Sequence, residues 1–330
     1  GVLVLVAGLL LFLDWRRRKA ASAAIEAAMA SSEDAEADAP VLRDAMKDAI
    51  ATLRRSKTKG GDPLYDLPWY VIIGPPGAGK TSALVNSGLK FPLAGSGTAQ
   101  PVAGIGGTRS CDWWFTDEAV LIDTAGRYTT QDSDQSRDKK SWLAFLSLLK
   151  KYRVRQPING VILAVSLADL MSFDDRQLDA HVAEIRSRLR ETYETLKIQF
   201  PVYLLFTKAD LVSGFMDYFG AFDEARRRKV WGATFQTTDR NKNMAGEAPA
   251  EFDALAGRLA DEMADRLQEE QDPVARISIF GFPAQFAALR GRVTGFITRL
   301  FDVSRSEVNV SLRGLYFSSG TQEGTPIDQV

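Results

Sequence analysis

The stretch Gly74-Pro75-Pro76-Gly77-Ala78-Gly79-Lys80-Thr81 has the glycine spacing that lets a backbone turn tightly enough for several amides to face one set of phosphate oxygens. At the end of that stretch Lys80 reaches the β- and γ-phosphates of a nucleoside triphosphate, and the Thr81 hydroxyl is a ligand for Mg2+. Ser82 completes the nucleotide-binding set on the helix that must follow. A chance glycine-rich turn competes with this reading. It is disfavoured by the apolar run Trp69 to Ile73 before the loop and the helix-forming run from Thr81 to Gly88 after it, which together supply a strand, loop and helix.

Two further segments fit the same chemistry. Val120-Leu121-Ile122-Asp123-Thr124-Ala125-Gly126 is an apolar strand ending in Asp-x-x-Gly. Asp123 is placed to hold Mg2+ through water, and the Gly126 amide to meet the γ-phosphate. No second acid follows Asp123, which separates the pattern from most P-loop ATPases and points to a GTPase-type layout. Thr207-Lys208-Ala209-Asp210, after the apolar run Val202 to Phe206, has the form of a guanine-reading tetrad. Its carboxylate accepts from the N1 and N2 hydrogens of the base and its lysine stem lies over the ring. GTP is favoured on this ground, with ATP as the alternative ligand.

Three positions depart from an efficient GTPase. Thr108, in Gly106-Gly107-Thr108-Arg109, is the candidate switch threonine, and a plain turn explains it nearly as well. The last base-side loop, expected after a strand at Arg276 to Phe280, reads Gly281-Phe282-Pro283 rather than Ser-Ala-Lys. Arg127 stands where a water-orienting glutamine is found in Ras-like proteins. An arginine cannot accept the water's proton, although it can stabilise charge on the phosphoryl group. The catalytic set is therefore Lys80, Thr108 and Arg127. Slow hydrolysis is expected, completed by a residue of the insertion or of a partner.

The elements around these motifs read as α/β. Strands are expected at Trp69 to Ile73, Cys111 to Phe115, Ala119 to Ile122, Gly160 to Val165, Val202 to Phe206 and Arg276 to Phe280, and Val308 to Ser318 also alternates like a strand. Helical spacing appears in Trp142, Phe145, Leu149 and Tyr152, in Leu178, Val182, Ile185 and Leu189, and in Phe252, Leu255, Leu259 and Met263. The alternation predicts a P-loop NTPase of GTPase-like layout: a mostly parallel sheet with flanking helices, a helical insertion and a C-terminal extension. The divisions are 1–19 as the end of a membrane span, 20–62 as a juxtamembrane linker and helix, and 63–210 as the NTPase core. An insertion at 211–273, a last core strand and helix at 274–302 and an extension at 303–330 follow.

Composition narrows the class. The chain has 330 residues, 45% of them apolar, with 41 basic against 42 acidic residues. That is a globular protein with no electrostatic footprint for nucleic acid. A single cysteine, Cys111, and a single histidine, His181, exclude a disulfide framework and a Cys/His zinc site. Val2 to Leu13 is an unbroken apolar run followed by Arg16, Arg17, Arg18 and Lys19. It reads as the end of a membrane span with its basic flank, and hence the rest of the chain, on the cytoplasmic side.

The segments Gly106 to Phe115, Leu121 to Tyr128 and Arg313-Gly314-Leu315-Tyr316-Phe317-Ser318-Ser319-Gly320-Thr321-Gln322-Glu323-Gly324-Thr325 resemble the IcmF/TssM family along nearly the whole chain. The resemblance implies an inner-membrane protein of the bacterial type VI secretion system, membrane-anchored, with this domain in the cytoplasm. It implies TssL, TssJ and baseplate components such as TssK as partners, and homo-oligomers in the full complex. The family's nucleotide motif varies between members, and both ATP and GTP are discussed as ligands; Lys80, Thr81 and Asp123 match it intact. The family context leaves open a structural scaffold role in which the nucleotide is little hydrolysed. Elsewhere, His181 is expected to pack at a helix flank. The run Arg226-Arg227-Arg228-Lys229 is expected to form a solvated helix face, with anionic lipid as the sharper alternative. Of Trp113 and Trp114, on opposite faces of one strand, one is expected in the core and the other free for an interface.

Overall fold

A computed structural model describes residues 39–55, 64–90, 111–126, 135–227, 229–239, 242–302 and 310–319. The apolar run Val2 to Leu13 lies outside these residues. Among the described residues no helix is long and apolar enough to cross a membrane.

Seven strands form one sheet: β1 (Trp69–Ile73), β2 (Cys111–Phe115), β3 (Val120–Thr124), β4 (Gly160–Ser166), β5 (Pro201–Thr207), β6 (Gly232–Thr234) and β7 (Ser311–Phe317), in the order β2-β3-β1-β4-β5-β7-β6. The five inner strands are parallel and the two edges, β2 and β6, are antiparallel. Val71 is in register with Ile122 on one side and Val161 on the other. Unbroken apolar strands such as WYVII and GVILAVS suit a parallel sheet, because both faces of such strands are covered. This is the P-loop, GTPase-type architecture that the alternation of segments predicts.

The helices are α1 (Ala39–Arg55), α2 (Lys80–Val85), α3 (Gln135–Tyr152), α4 (Leu167–Ser172), α5 (Asp175–Leu196), α6 (Phe215–Gly220), α7 (Glu224–Arg227), α8 (Ala248–Glu269), α9 (Pro273–Ala288) and α10 (Arg290–Phe301). Helix α5 begins with a reciprocal cap. The Asp174 carboxylate accepts from the Gln177 amide at 2.8 Å, and the Gln177 side chain accepts from the Asp174 amide at 2.9 Å. Its buried stripe Leu178, Val182, Ile185 and Leu189 joins Trp142, Phe145 and Leu149 of α3 in one core. His181 packs as expected, its ring 5.4 Å from that of Phe173 and 6.2 Å from that of Phe296.

Arg276 to Phe280, expected as a strand, lies instead within α9. Asp272 caps that helix by accepting from the Val274 and Ala275 amides, and Pro273 sits in its first turn. A short apolar run with two isoleucines suits either element, and these start signals decide for helix. The inner strand beside β5 is β7, with Phe206 paired to Phe317. The terminal segment thus supplies a central strand of the sheet.

The stretch 211–273 holds α6, α7, α8 and the short strand β6, which pairs with β7. Its rings do not form a separate core. Trp231 lies 5.0 Å from both Phe286 and Phe317, and Phe252 stacks on Phe286 at 4.8 Å, so insertion and sheet share one apolar cluster. Trp113 and Trp114 are both buried, at 2% and 1% exposure. The tryptophan expected to be free is covered in a small second cluster with Ile72, Leu84 and Leu121 on the other side of the sheet.

Candidate nucleotide site

Three loops meet at the carboxyl ends of β1, β3 and β5, the end at which open α/β sheets place their ligand sites. The first runs from Gly74 to Lys80. Gly77 and Gly79 have φ of 72° and 73°, a left-handed conformation that glycine adopts at little cost and that curls successive amides to one side. Helix α2 then starts with no side-chain cap, leaving its first amides available to an anion. Lys80 folds back along the loop, and its Nζ donates to the carbonyls of Gly74 at 2.8 Å and Pro75 at 3.0 Å. Burial lowers the pKa of this ammonium group, while the nearby Asp123 carboxylate opposes the shift. Ser82 is exposed on α2.

The second loop follows β3. Thr124 Oγ1 donates to the Ile72 carbonyl at 2.7 Å and locks β3 beside β1. That contact holds Asp123 over the start of α2, where Thr81 Oγ1 donates to Asp123 Oδ2 at 2.5 Å. Asp123 is fully buried, and its Oδ1 has no hydrogen-bond partner. Burial pushes its pKa up to about 6; the Thr81 hydrogen bond and the charge of Lys80 pull against this, and Asp112, its cross-strand neighbour, adds to it. A buried carboxylate oxygen without a partner, beside a hydroxyl, is the donor set that a hard divalent cation takes. The residues present, the Thr81 hydroxyl and the Asp123 carboxylate, therefore fit Mg2+. Gly126 lies against the first loop: a Cβ there would sit 2.5 Å from Pro76 Cα. Thr108 and Arg127 lie outside the described residues.

The third loop follows β5. Thr207 Oγ1 bonds to the Ala78 carbonyl at 2.7 Å and lies 3.3 Å from that of Val165, which ties this loop to the first. Lys208 adopts a left-handed φ of 58°, and Asp210 follows in a single 3-10 turn, Ala209–Leu211, with its Oδ1 buried and unpartnered.

The partner loop is not the expected Gly281-Phe282-Pro283, which is helical in α9. It is Ser318-Ser319 after β7. The Ala209 amide donates to the Ser318 carbonyl at 3.1 Å, and the Ser318 amide to the Phe206 carbonyl at 2.8 Å. The alternation of Val308 to Ser318 marked the strand; its place beside β5 had no signal in the sequence. Gly74 to Thr81, Asp123, Gly126 and Thr207 to Asp210 are thus brought to one end of the sheet.

The N-terminal domain model of IcmF-related proteins matches residues 135–330. The type VI secretion system component TssM1 of Pseudomonas aeruginosa is 51% identical over 296 residues, which cover 88% of this chain and 27% of that protein. The chain thus spans about a quarter of that relative's length. Among solved structures, the GDP-bound signal recognition particle receptor SRb of Chaetomium thermophilum matches at 15% identity with a TM-score of 0.30, over 78% of this chain and 91% of its own. A GTP-binding protein of Sulfolobus solfataricus in complex with GDP matches at 15% identity and a TM-score of 0.27, over 53% of this chain and 51% of its own. TM-scores this low carry no weight for the site. With more than half of its length matched, from residue 135 to residue 330, the chain belongs to the IcmF-related family.

Proposed function

We propose that this chain is the nucleotide-binding module of a type VI secretion component of the TssM kind, taking GTP, or ATP in its place, together with Mg2+. The observation that carries the proposal is the buried Oδ1 of Asp123, unpartnered beside the Thr81 hydroxyl. A buried anionic oxygen without a partner costs several kcal/mol (roughly 1–3 even for a neutral group), and a divalent ion removes that cost. When bound, Mg2+ supplies charge neutralisation for the phosphates. The chain's own contributions are the amides of Gly77 to Lys80 for phosphate, the Lys80 ammonium for the terminal phosphates, and Thr207 to Asp210 with Ser318-Ser319 around the base. Asp210, with its free carboxylate oxygen, favours guanine.

In this role the triphosphate orders the loops around Thr108 and Gly126, and its loss relaxes them, which changes contacts within the secretion complex. The membrane anchor, the cytoplasmic orientation and contacts with TssL, TssJ and TssK belong to the same proposal, as does assembly of several copies. Slow turnover is part of it, because Arg127 occupies the glutamine position. A scaffold whose nucleotide serves stability is the second reading. It is favoured by Lys80, whose ammonium group is already held by two carbonyls of its own loop.

Binding of labelled GTP and ATP, each with and without Mg2+, to the chain and to Lys80→Ala tests the proposal. The expected result is saturable, Mg2+-enhanced binding of GTP that the substitution abolishes. No saturable binding of either nucleotide at millimolar concentration overturns it. Secretion that survives Lys80→Ala while binding is lost selects the scaffold reading.

A further inference from the structure

Helix α9 has one charged residue, Arg276, in its 16 residues, and both of its sides are apolar. Ile279, Phe282, Pro283 and Phe286 are buried in the shared core. On the opposite side Val274, Ile277 and Phe280 stand 70%, 74% and 64% exposed. Their stripe continues at helical spacing through Gly281 to the exposed Ala284, Ala287 and Ala288. A helix apolar all round is normally enclosed, and a contiguous exposed apolar stripe marks an interaction surface.

The stripe has a direction. Its large side chains occupy the first half of the helix and its small ones the second. Two copies of α9 laid antiparallel about an axis between Phe280 and Gly281 set Val274 against Ala287 of the second copy, Ile277 against Ala284, and Phe280 against Gly281. A Cβ at Gly281 would meet nothing within 4 Å in this chain, so the centre of the stripe is open to a close approach. Charge follows the same polarity. Glu270, Asp272 and the Arg266-paired Glu269 precede the helix and outnumber Arg276 of its first turn, whose guanidinium is held by the Glu270 carbonyl, while Arg292 and the Asp253-paired Arg290 follow it. An antiparallel pair therefore brings each acidic end to a basic end, as a self-complementary two-fold interface requires. A groove of about 830 Å3 beside Leu267, Glu270, Ile277 and Phe280 flanks the acidic end and leaves room for the basic end of the second copy.

We infer that α9 is a homodimer interface, in which a second copy of this chain packs antiparallel on Val274, Ile277 and Phe280. The acidic end disfavours an anionic lipid surface at the same place, because like charges repel across a low-dielectric boundary. One helix pair covers less than the roughly 1,200–2,000 Å2 of a standard interface, so the dimer is weak and concentration-dependent.

Cysteine crosslinking of the full chain in uncharged detergent tests the inference, since the single native cysteine, Cys111, is buried. Gly281→Cys should give a disulfide-linked dimer under mild oxidation at least tenfold faster than Gly246→Cys, an exposed glycine elsewhere. Phe280→Glu added to Gly281→Cys should slow the crosslink at least tenfold. Glu270→Arg should also slow it, and Arg292→Glu added to Glu270→Arg should restore it. Equal rates at the two cysteine positions, or a rate indifferent to Phe280→Glu and Glu270→Arg, overturns the inference. So does Phe280-dependent binding to anionic vesicles without crosslinking, which assigns the face to lipid.

Discussion

Thr81 donates its hydroxyl proton to one oxygen of Asp123, 42 residues away, and the other oxygen of that carboxylate is left buried with no partner. The two residues come from the first turn of α2 and the end of β3 and meet only because β1 and β3 are neighbours. Asp123→Asn keeps the shape and removes the charge. It should weaken nucleotide binding in Mg2+ by roughly 10- to 100-fold, about 1.4–2.7 kcal/mol, and change binding in excess chelator by less than about threefold. Isothermal titration in the two buffers reads both. An equal loss in each would mean that Asp123 has no part in holding the metal.

Burial raises the Asp123 pKa from its ordinary value of 3.8 to about 6, which gives a pH dependence of definite sign. The folded chain then binds more protons at this group than the unfolded chain does between those values. Stability from this group is fully present below about pH 4 and is lost as pH rises through about 6, by about 3 kcal/mol. Urea titrations of the ligand-free chain and of Asp123→Asn should therefore diverge as pH rises from about 4 to 6 and stay apart above it, the substituted chain being the more stable. Mg2+ needs the ionised carboxylate, so Mg2+-dependent binding should fall as pH drops below about 6. A Mg2+ affinity that is flat from pH 5 to 8 would contradict the shifted value.

Gly126 packs with its Cα against Pro76, where an added Cβ would sit 2.5 Å from backbone atoms. Gly126→Ala should push the β3 loop off the phosphate loop and cost about 1–3 kcal/mol by overpacking. Gly77→Ala is a useful contrast. Open space surrounds that position, but its φ of 72° makes the cost a backbone one of about 1 kcal/mol. Thermal unfolding of the two variants should rank them in that order.

Asp210 presents a buried, unpartnered carboxylate oxygen between the loops after β5 and β7. Asp210→Asn exchanges one acceptor for a donor. GTP affinity should fall at least about tenfold, about 1.4 kcal/mol, and xanthosine triphosphate, which carries a carbonyl at C2, should gain. Competition binding with the two nucleotides measures the exchange. Unchanged GTP affinity would remove Asp210 from the base pocket.

Much of this site was legible in the sequence because its parts are local. Gly74 to Thr81, Val120 to Gly126 and Thr207 to Asp210 each carry their meaning within a few residues, and each follows an apolar strand that fixes where it points. The base-side loop was not legible in that way. Its identity depends on which strand lies beside β5, and that is decided by the capping of α9 at Asp272 and by the packing of Phe317 on Phe206. Ile277 and Ile279 suit a strand as well as they suit a helix. The burial of both Trp113 and Trp114 is hidden for a related reason: alternation separates the two faces of a strand but does not say that both are covered.

The placement of β7 sets a timetable for the site. The Gly74 to Lys80 loop, Asp123 and Thr207 to Asp210 all lie before residue 211, yet the carbonyl that receives the Ala209 amide is Ser318. On the ribosome the loops after β1 and β3 can therefore assemble about 110 residues before the loop after β7 joins them, at a synthesis rate of ~5–20 residues per second. For those several seconds the nascent chain has the Gly74 to Lys80 loop beside Asp123, while the turn after β5 still lacks its neighbour. The Ala209 amide meets its carbonyl only when the last strand has slotted between β5 and β6.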